Sequence, residues 1–296
     1  MNAYRSGFIC ILGCPNVGKS TLLNAMVGQK IAIVSDRAQT TRNKITGVLS
    51  RGGYQMIFLD TPGVTSPKNK LGDYMRKAAF DAMSEVEAIL FVADAHAGVG
   101  ERDAALMDRL AHAKAPVLAF ANKADAASPA QLANALETLA RRGRFAQILS
   151  GSAATGAGLE KLEQALEGYL TPGPQYFPDD MVTDQPERVI CAEFIREKAL
   201  LLLREEVPHG IGVGVERMEK REDRELMDIY ATIYCERDSH KGIIIGKNGA
   251  MLKRIGADSR HDIEWLLGSR VNLQLWVKVK EDWRNRPAVL HELGYE

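Results

Sequence analysis

The chain has 296 residues, enough for two domains, and its 38 Lys and Arg are balanced by 38 Asp and Glu. Neither side of Pro172 carries a run of like charge, which excludes a polybasic tail. Four cysteines without a CxxC pair exclude a secreted disulfide framework, the N-terminus has no signal-peptide pattern, and no apolar run approaches the ~18 residues that span a bilayer, so a cytoplasmic location is expected.

In chain order, Phe8, Ile9, Cys10, Ile11 and Leu12 form a short apolar run between Gly7 and Gly13, the pattern of a parallel strand buried on both faces. Gly13-Cys14-Pro15-Asn16-Val17-Gly18-Lys19-Ser20 follows as a full G-x-x-x-x-G-K-S match. A helix is predicted over 19–27, with Thr21 in its first turn. Glycines at these positions let successive amides face phosphate oxygens. Lys19 brings a cation to the β and γ phosphates, the Ser20 hydroxyl is placed to hold Mg²⁺, and the helix dipole adds to the attraction.

The polar stretch 35–42 reads as a loop that reaches the γ-phosphate, with Thr41, and Thr40 second, as the further protein ligand on Mg²⁺. Strands predicted over 44–50 and 54–59 flank the hairpin signal Arg51-Gly52-Gly53. The second ends in Asp60-Thr61-Pro62-Gly63, where Asp60 is expected to hold Mg²⁺ through water and the Gly63 amide to approach the γ-phosphate. Val64 stands where many regulatory GTPases carry a glutamine, so slow intrinsic hydrolysis, or a water held by backbone, partner or monovalent cation, is expected. Asn16 is the candidate K⁺ ligand. The residues assigned to catalysis are therefore Lys19, Thr41, Gly63 and Asn16.

A helix over 71–84, a strand over 88–93, a helix over 101–113 and a strand over 116–121 continue the alternation of a doubly wound, mostly parallel sheet. The last strand ends in Asn122-Lys123-Ala124-Asp125. The Asp125 carboxylate can accept from guanine N1–H and the exocyclic amine, a donor pair that adenine lacks. Lys123 is expected to lay its stem over the base, and Asn122 to tie this loop to the phosphate-binding loop. After a helix over 129–142 and a strand over 145–149, the amides near Ser152 and Ala153 are expected to donate to guanine O6; a helix over 159–170 closes the unit. These motifs, with Thr40-Thr41-Arg42 in the first switch, resemble the translation-factor type of P-loop GTPase domain, here residues 1–172.

Three prolines and a glycine over 171–180 mark a domain boundary, with a linker over 173–185 and a second domain over 186–296. It reads as a helix over 187–206, a strand over 211–218 with Val213 and Val215 on one face, a charged turn, a strand over 226–235, the segment Gly246-Lys247-Asn248-Gly249, a helix over 250–267 and a strand over 271–280. That order around G-x-x-G resembles an α+β type II KH domain, in which the glycines let an RNA backbone pass close to the loop. Lys241, Lys247, Asn248, Lys253 and Arg254 are the candidate RNA contacts beside Gly246 and Gly249, and Ile243-Ile244-Ile245 the expected apolar floor for unstacked bases.

A single GTPase domain, a Pro-rich linker and a terminal KH domain together resemble the Era GTPases of bacterial ribosome assembly. The resemblance extends over Ala192-Glu193-Phe194-Ile195-Arg196-Glu197-Lys198. It implies GTP and GDP with Mg²⁺ as ligands, a monomer that binds the 3′ end of small-subunit (16S) ribosomal RNA, and a role in maturation of the 30S subunit. It also implies nucleotide-dependent exposure of the KH groove, and family members have been linked to peripheral contact with the inner membrane. An alternative is a membrane or cell-cycle GTPase whose KH fold binds proteins. A tRNA-modification GTPase is disfavoured because the sequence closes on Leu293-Gly294-Tyr295-Glu296, without that family's terminal catalytic cysteine.

Overall fold

A computed structural model describes residues 3–37, 39–63, 67 and 69–295. The chain divides into two units, Met1–Ser66 with Met75–Asp184, and Pro67–Tyr74 with Gln185–Glu296.

The first unit starts with β1 (Arg5–Leu12), α1 (Lys19–Val27), β2 (Ile45–Arg51), β3 (Tyr54–Asp60), the part of α2 (Lys70–Asp81) from Met75 onward, and β4 (Ala88–Asp94). It continues with α3 (Glu101–Leu110), β5 (Val117–Asn122), α4 (Pro129–Arg142), β6 (Gln147–Ser150), α5 (Leu159–Glu167) and the short β7 (Thr171–Pro172). The strand order is β2-β3-β1-β4-β5-β6, with β2 antiparallel to β3, β7 antiparallel to β1, and the remaining pairs parallel. Side chains along β1 alternate between two cores: Ile9 and Ile11 pack with Leu22, Leu23 and Phe58, whereas Cys10 and Leu12 pack with Ile57, Ile89 and Phe91. The register pairs Ile11 with Asp60 and Asp94 with Asn122, so the carboxyl ends of the central strands reach one edge of the sheet. Local sequence fixes α4 closely. Ser128 Oγ accepts from Gln131 N, Gln131 Oε1 accepts from Ser128 N, Pro129 stands in the first turn, and Arg141 and Arg142 end the helix.

The stretch read as a linker is laid on the first unit. Buried Gln55 accepts from Tyr176 N and Phe177 N and donates to Phe177 O at 2.9 Å, Val48 N donates to Val182 O, and Thr183 Oγ1 donates to Thr46 O. A Pro-rich sequence cannot continue a helix, yet its free backbone groups are satisfied by this one amide side chain and by β2.

The second unit holds α6 (Glu187–Leu202), β8 (Gly212–Lys220), β9 (Leu226–Cys235), α7 (Asp238–Ile245), α8 (Ala250–Leu267), β10 (Arg270–Val279) and α9 (Pro287–Glu292). Its sheet runs β10-β9-β8, parallel between β10 and β9 and antiparallel between β9 and β8, with a register shift between Val215 and Arg217. Val213 and Val215 precede it, paired with the buried Ile233 and Ala231, and share one face as expected. The helix α6 ends at Leu202, four residues short of the expected 206, and a 3₁₀ turn over Val207–Gly210 leads into β8. Arg196 is fully buried on α6 and paired with Glu193, while Lys198 pairs with Glu197 at 3.3 Å and Asp262 at 2.5 Å. The four cysteines are free and buried. Burial pushes the Cys10, Cys14 and Cys191 thiols up to about 12, helped at Cys14 by the neighbouring Asp103 carboxylate. No described helix is long and apolar enough to cross a membrane.

Trp283 is fully buried, with Nε1 donating to Gly210 O at 2.8 Å and its ring stacked near Tyr295. Trp283→Ala is expected to lower stability by about 3–5 kcal/mol. Trp283→Phe, which keeps a ring and loses the hydrogen bond, should cost clearly less; chemical denaturation followed by circular dichroism measures both.

Candidate nucleotide site and nucleic-acid interface

The phosphate-binding loop leaves β1 at Leu12 and enters α1 at Lys19. Gly18 has φ +93, and a Cβ there would lie 2.4 Å from Asn122 Nδ2, so the position needs glycine for both conformation and space. Lys19 is buried, and its Nζ donates to Gly13 O at 3.2 Å and Cys14 O at 3.1 Å. Burial pulls its pKa down from the ordinary lysine value, opposed by the Asp60 carboxylate. Pro15, Lys19, Ser20, Ser35, Thr41 and Gly63 line one cleft at this loop.

Ser20 Oγ lies 2.8 Å from Thr41 Oγ1 and donates to Asp60 Oδ2 at 2.6 Å. Thr40 also lines the cleft, but its Oγ1 donates to Arg37 O inside its own loop, so it is the Thr41 hydroxyl that reaches Ser20. Asp60 is wholly buried, its Oδ1 has no hydrogen-bond partner, and burial raises its pKa to about 6 against the pull of Lys19 and the Ser20 hydrogen bond. Two hydroxyls and a carboxylate with an orphaned oxygen are the hard oxygen donors that Mg²⁺ prefers. Among the described residues no group of three or more His, Cys, Asp or Glu offers another metal site. Thr61 Oγ1 donates to Ile11 O, which fastens the start of Asp60-Thr61-Pro62-Gly63 to β1. A Cβ on Gly63 would lie 2.9 Å from Pro15 Cα, so this turn lies directly against the phosphate-binding loop. Val64 lies outside the described residues.

Behind the phosphate-binding loop, the buried Asn122 donates from Nδ2 to Val17 O and accepts at Oδ1 from Ala153 N, both at 2.9 Å. Lys123 Nζ donates to Asn16 O and to Asp94 Oδ2, each at 2.7 Å. Ala124 N donates to Gly151 O, and Asp125 stands exposed at the end of the motif. The geometry corrects the expectation for Ser152 and Ala153: Ser152 N donates to Ala157 O and Ala153 N to Asn122, so neither amide is free for guanine O6. The sequence reading also missed Asp94, which orients Lys123 and accepts from His96 N and Ala97 N; its place at a strand end was the available signal. Asn16, with φ +66, donates from Nδ2 to Asp36 O, a link to the first switch loop that was not foreseen either.

In the second unit, Gly246, Asn248 and Gly249 all have positive φ (72°, 52° and 76°), forming a tight loop between α7 and α8 with Lys247 and Asn248 exposed. Lys253 and Arg254 are exposed on the first turns of α8, Arg254 lying 3.9 Å from Asp258, and Lys241 is half-buried on α7. The expected triple-isoleucine floor is divided: Ile244 is fully buried in the core, whereas Ile243 is 50 % exposed. A helix cannot turn three successive side chains to one face, so a continuous apolar floor was the wrong geometry.

Comparison with known proteins agrees with this architecture. Residues 8–123 match the family described as a 50S ribosome-binding GTPase, and residues 206–284 match the KH domain family. GTPase Era of Clostridioides difficile is 51 % identical over 293 residues, covering 99 % of both chains. GTPase Era of Staphylococcus haemolyticus is 49 % identical over 295 residues, covering 100 % of this chain and 98 % of its own. Among solved structures, an Aquifex aeolicus Era variant bound to GDP·AlF₄⁻ superposes with a TM-score of 0.93 at 40 % identity, covering 98 % of this chain and 99 % of its own. Era in complex with MgGDPNP and nucleotides 1506–1542 of 16S ribosomal RNA gives 0.94 at 40 % identity, covering 99 % of each. With the GTPase and KH matches in that order and about half its residues identical to GTPase Era relatives over nearly its full length, the chain belongs to the Era family of GTPases, a P-loop GTPase domain followed by a KH domain.

Proposed function

We propose that this chain uses its GTPase domain to gate binding of its KH domain to the 3′ end of 16S ribosomal RNA during maturation of the 30S subunit. The observation that carries the reading is the presence, in one chain, of the Ser20–Thr41–Asp60 cluster and the Gly246–Gly249 loop. The 40 % identical Era structure that holds MgGDPNP and a 16S fragment gives the reading its ligands.

Ser20, Thr41 and Asp60 would hold Mg²⁺, which when bound neutralises charge on the β and γ phosphates. Lys19 adds a desolvated cation on the same oxygens, leaving Gly13 O and Cys14 O as the nucleotide enters. Thr41 belongs to the loop that also contains Asp36, the partner of Asn16, so loss of the γ-phosphate releases a segment tied to the phosphate-binding loop at two points. Asp125 reads guanine as an acceptor pair that adenine would leave unsatisfied. Because Ala153 N is taken, O6 recognition falls to the next amide along, that of Ala154. The Asn16 side-chain oxygen would serve a K⁺ ion beside the phosphates.

Titration with an RNA spanning nucleotides 1506–1542 tests the gate. Tight binding with a non-hydrolysable GTP analogue and weak binding with GDP is expected; equal affinity in both states would remove gating from the reading. Asp125→Asn should lower GTP affinity by roughly a hundredfold or more and raise that for xanthosine triphosphate, measured by competition for a fluorescent nucleotide. Replacing Lys247 and Asn248 together by Asp should weaken RNA binding roughly tenfold or more while leaving GTP affinity unchanged. A loss of both activities would mean that the loop has a structural role.

A further inference from the structure

We propose that the outer face of the second unit's sheet is a stacking platform for single-stranded RNA, centred on Trp276 and distinct from the G-x-x-G loop. It deepens the RNA-binding reading and rests on it. Helices cover one face of this sheet, where Ile229, Ala231, Ile233, Val271 and Val277 are buried. On the other face, Leu293 fills the space over Gly212 and Gly214 at one end. Beyond it lies Trp276, 43 % exposed although it is the largest apolar side chain of β10.

Its exposed ring is oriented rather than loose. The indole stacks on Tyr230 with centroids 6.0 Å apart and planes within 13°, and the Arg217 guanidinium lies 5.7 Å from the Tyr230 centroid. The three groups come from β10, β9 and β8, so a cation and two rings line up across the sheet and end at Trp276 on the edge strand. Bases of any identity stack on such a surface, and the cation–π contact of Arg217 helps to hold the Tyr230 ring beneath Trp276.

The polar surroundings suit a nucleic acid better than an apolar protein surface. The outward row of β10 is Arg270, Asn272, Gln274, Trp276 and Lys278, without a carboxylate. Each acidic side chain on the neighbouring strands is already neutralised: Asp228 by Arg221, Glu216 by Lys278, and Glu219 by Arg217. Arg270 and Gln274 have no side-chain hydrogen bond or ion pair among the described residues. One is free for phosphate, the other for a base edge. Continuity with the G-x-x-G loop is direct. Gly256 lies seven residues, about 10 Å, along α8 from Gly249. A Cβ on it would sit 3.4 Å from Leu275, the residue before Trp276. RNA leaving the loop therefore has only the edge of β10 to cross.

A length series of single-stranded RNA, starting from the about four nucleotides that a G-x-x-G loop clamps, tests the platform on the full chain. Wild-type affinity should step up once the RNA is long enough to cross the edge, with quenching of the fluorescence that disappears in Trp276→Ala. Trp276→Ala should lose that step, about 5- to 100-fold, and keep wild-type affinity for the shortest RNA and for GTP. Trp276→Phe should restore most of it. Equal affinity of Trp276→Ala and wild type at every length would overturn the platform and leave the face to a protein partner. An equal loss at every length would also overturn it, because the loop groove would then have been disturbed. Failure of wild type to bind RNA at all would refute the underlying reading instead.

Discussion

The carboxamide of Asn122 holds three loops at once. Its Nδ2 donates into the phosphate-binding loop at Val17 O, its Oδ1 receives Ala153 N, and its own backbone ends β5 at the carboxyl edge of the sheet. Nδ2 also occupies the space where a side chain on residue 18 would begin, so the second glycine of the loop motif and the asparagine of the base motif constrain each other. A buried amide with both ends satisfied is rigid, because any displacement leaves a donor or an acceptor unpaired in a low-dielectric interior. The phosphate end and the base end of the site are thereby kept at one separation, as a nucleotide of fixed length requires. Lys123 repeats the arrangement beside it, joining Asn16 O to Asp94.

Much of this was legible because the motifs are local. A glycine-rich loop between a buried strand and a helix, a carboxylate at a strand end and a capped helix such as 129–142 each declare themselves within a few residues. The helix over 250–267 is likewise bounded by glycines in the left-handed region at Gly249 and Gly268. The order of those signals then narrowed the fold to a doubly wound sheet with a KH unit after it. What stayed hidden was long-range satisfaction of single polar groups. Nothing near Gln55 announces that it will bind the backbone of Tyr176 and Phe177, more than a hundred residues away. Composition therefore made 173–185 look like a free linker. The same limit left Asp94 unnoticed and assigned to guanine two amides that the fold uses elsewhere.

The second unit shows a different departure from pattern. The sequence over 187–206 reads as an amphipathic helix, yet Arg196 and Glu197 are among the most buried side chains of the helix that forms, Glu187–Leu202. Burying such groups carries a large desolvation cost that only close pairing offsets, and Glu193 supplies it for Arg196. Lys198 extends the network across to Asp262 on α8, so the two helices are matched by charge as well as by apolar packing. A hydrophobic substitution of matching volume could pack here equally well; the ion pairs add a requirement of register between α6 and α8.

The burial of all four thiols has a practical side. With Cys10, Cys14 and Cys191 pushed up to about 12, and Cys235 also raised by burial, the reactive thiolate form is scarce at neutral pH. The native protein is accordingly a nearly silent background for maleimide chemistry. A single cysteine introduced on the surface of either unit can carry a spectroscopic label without removal of the natural ones, and the phosphate-binding loop keeps its own cysteine out of reach of mild oxidants.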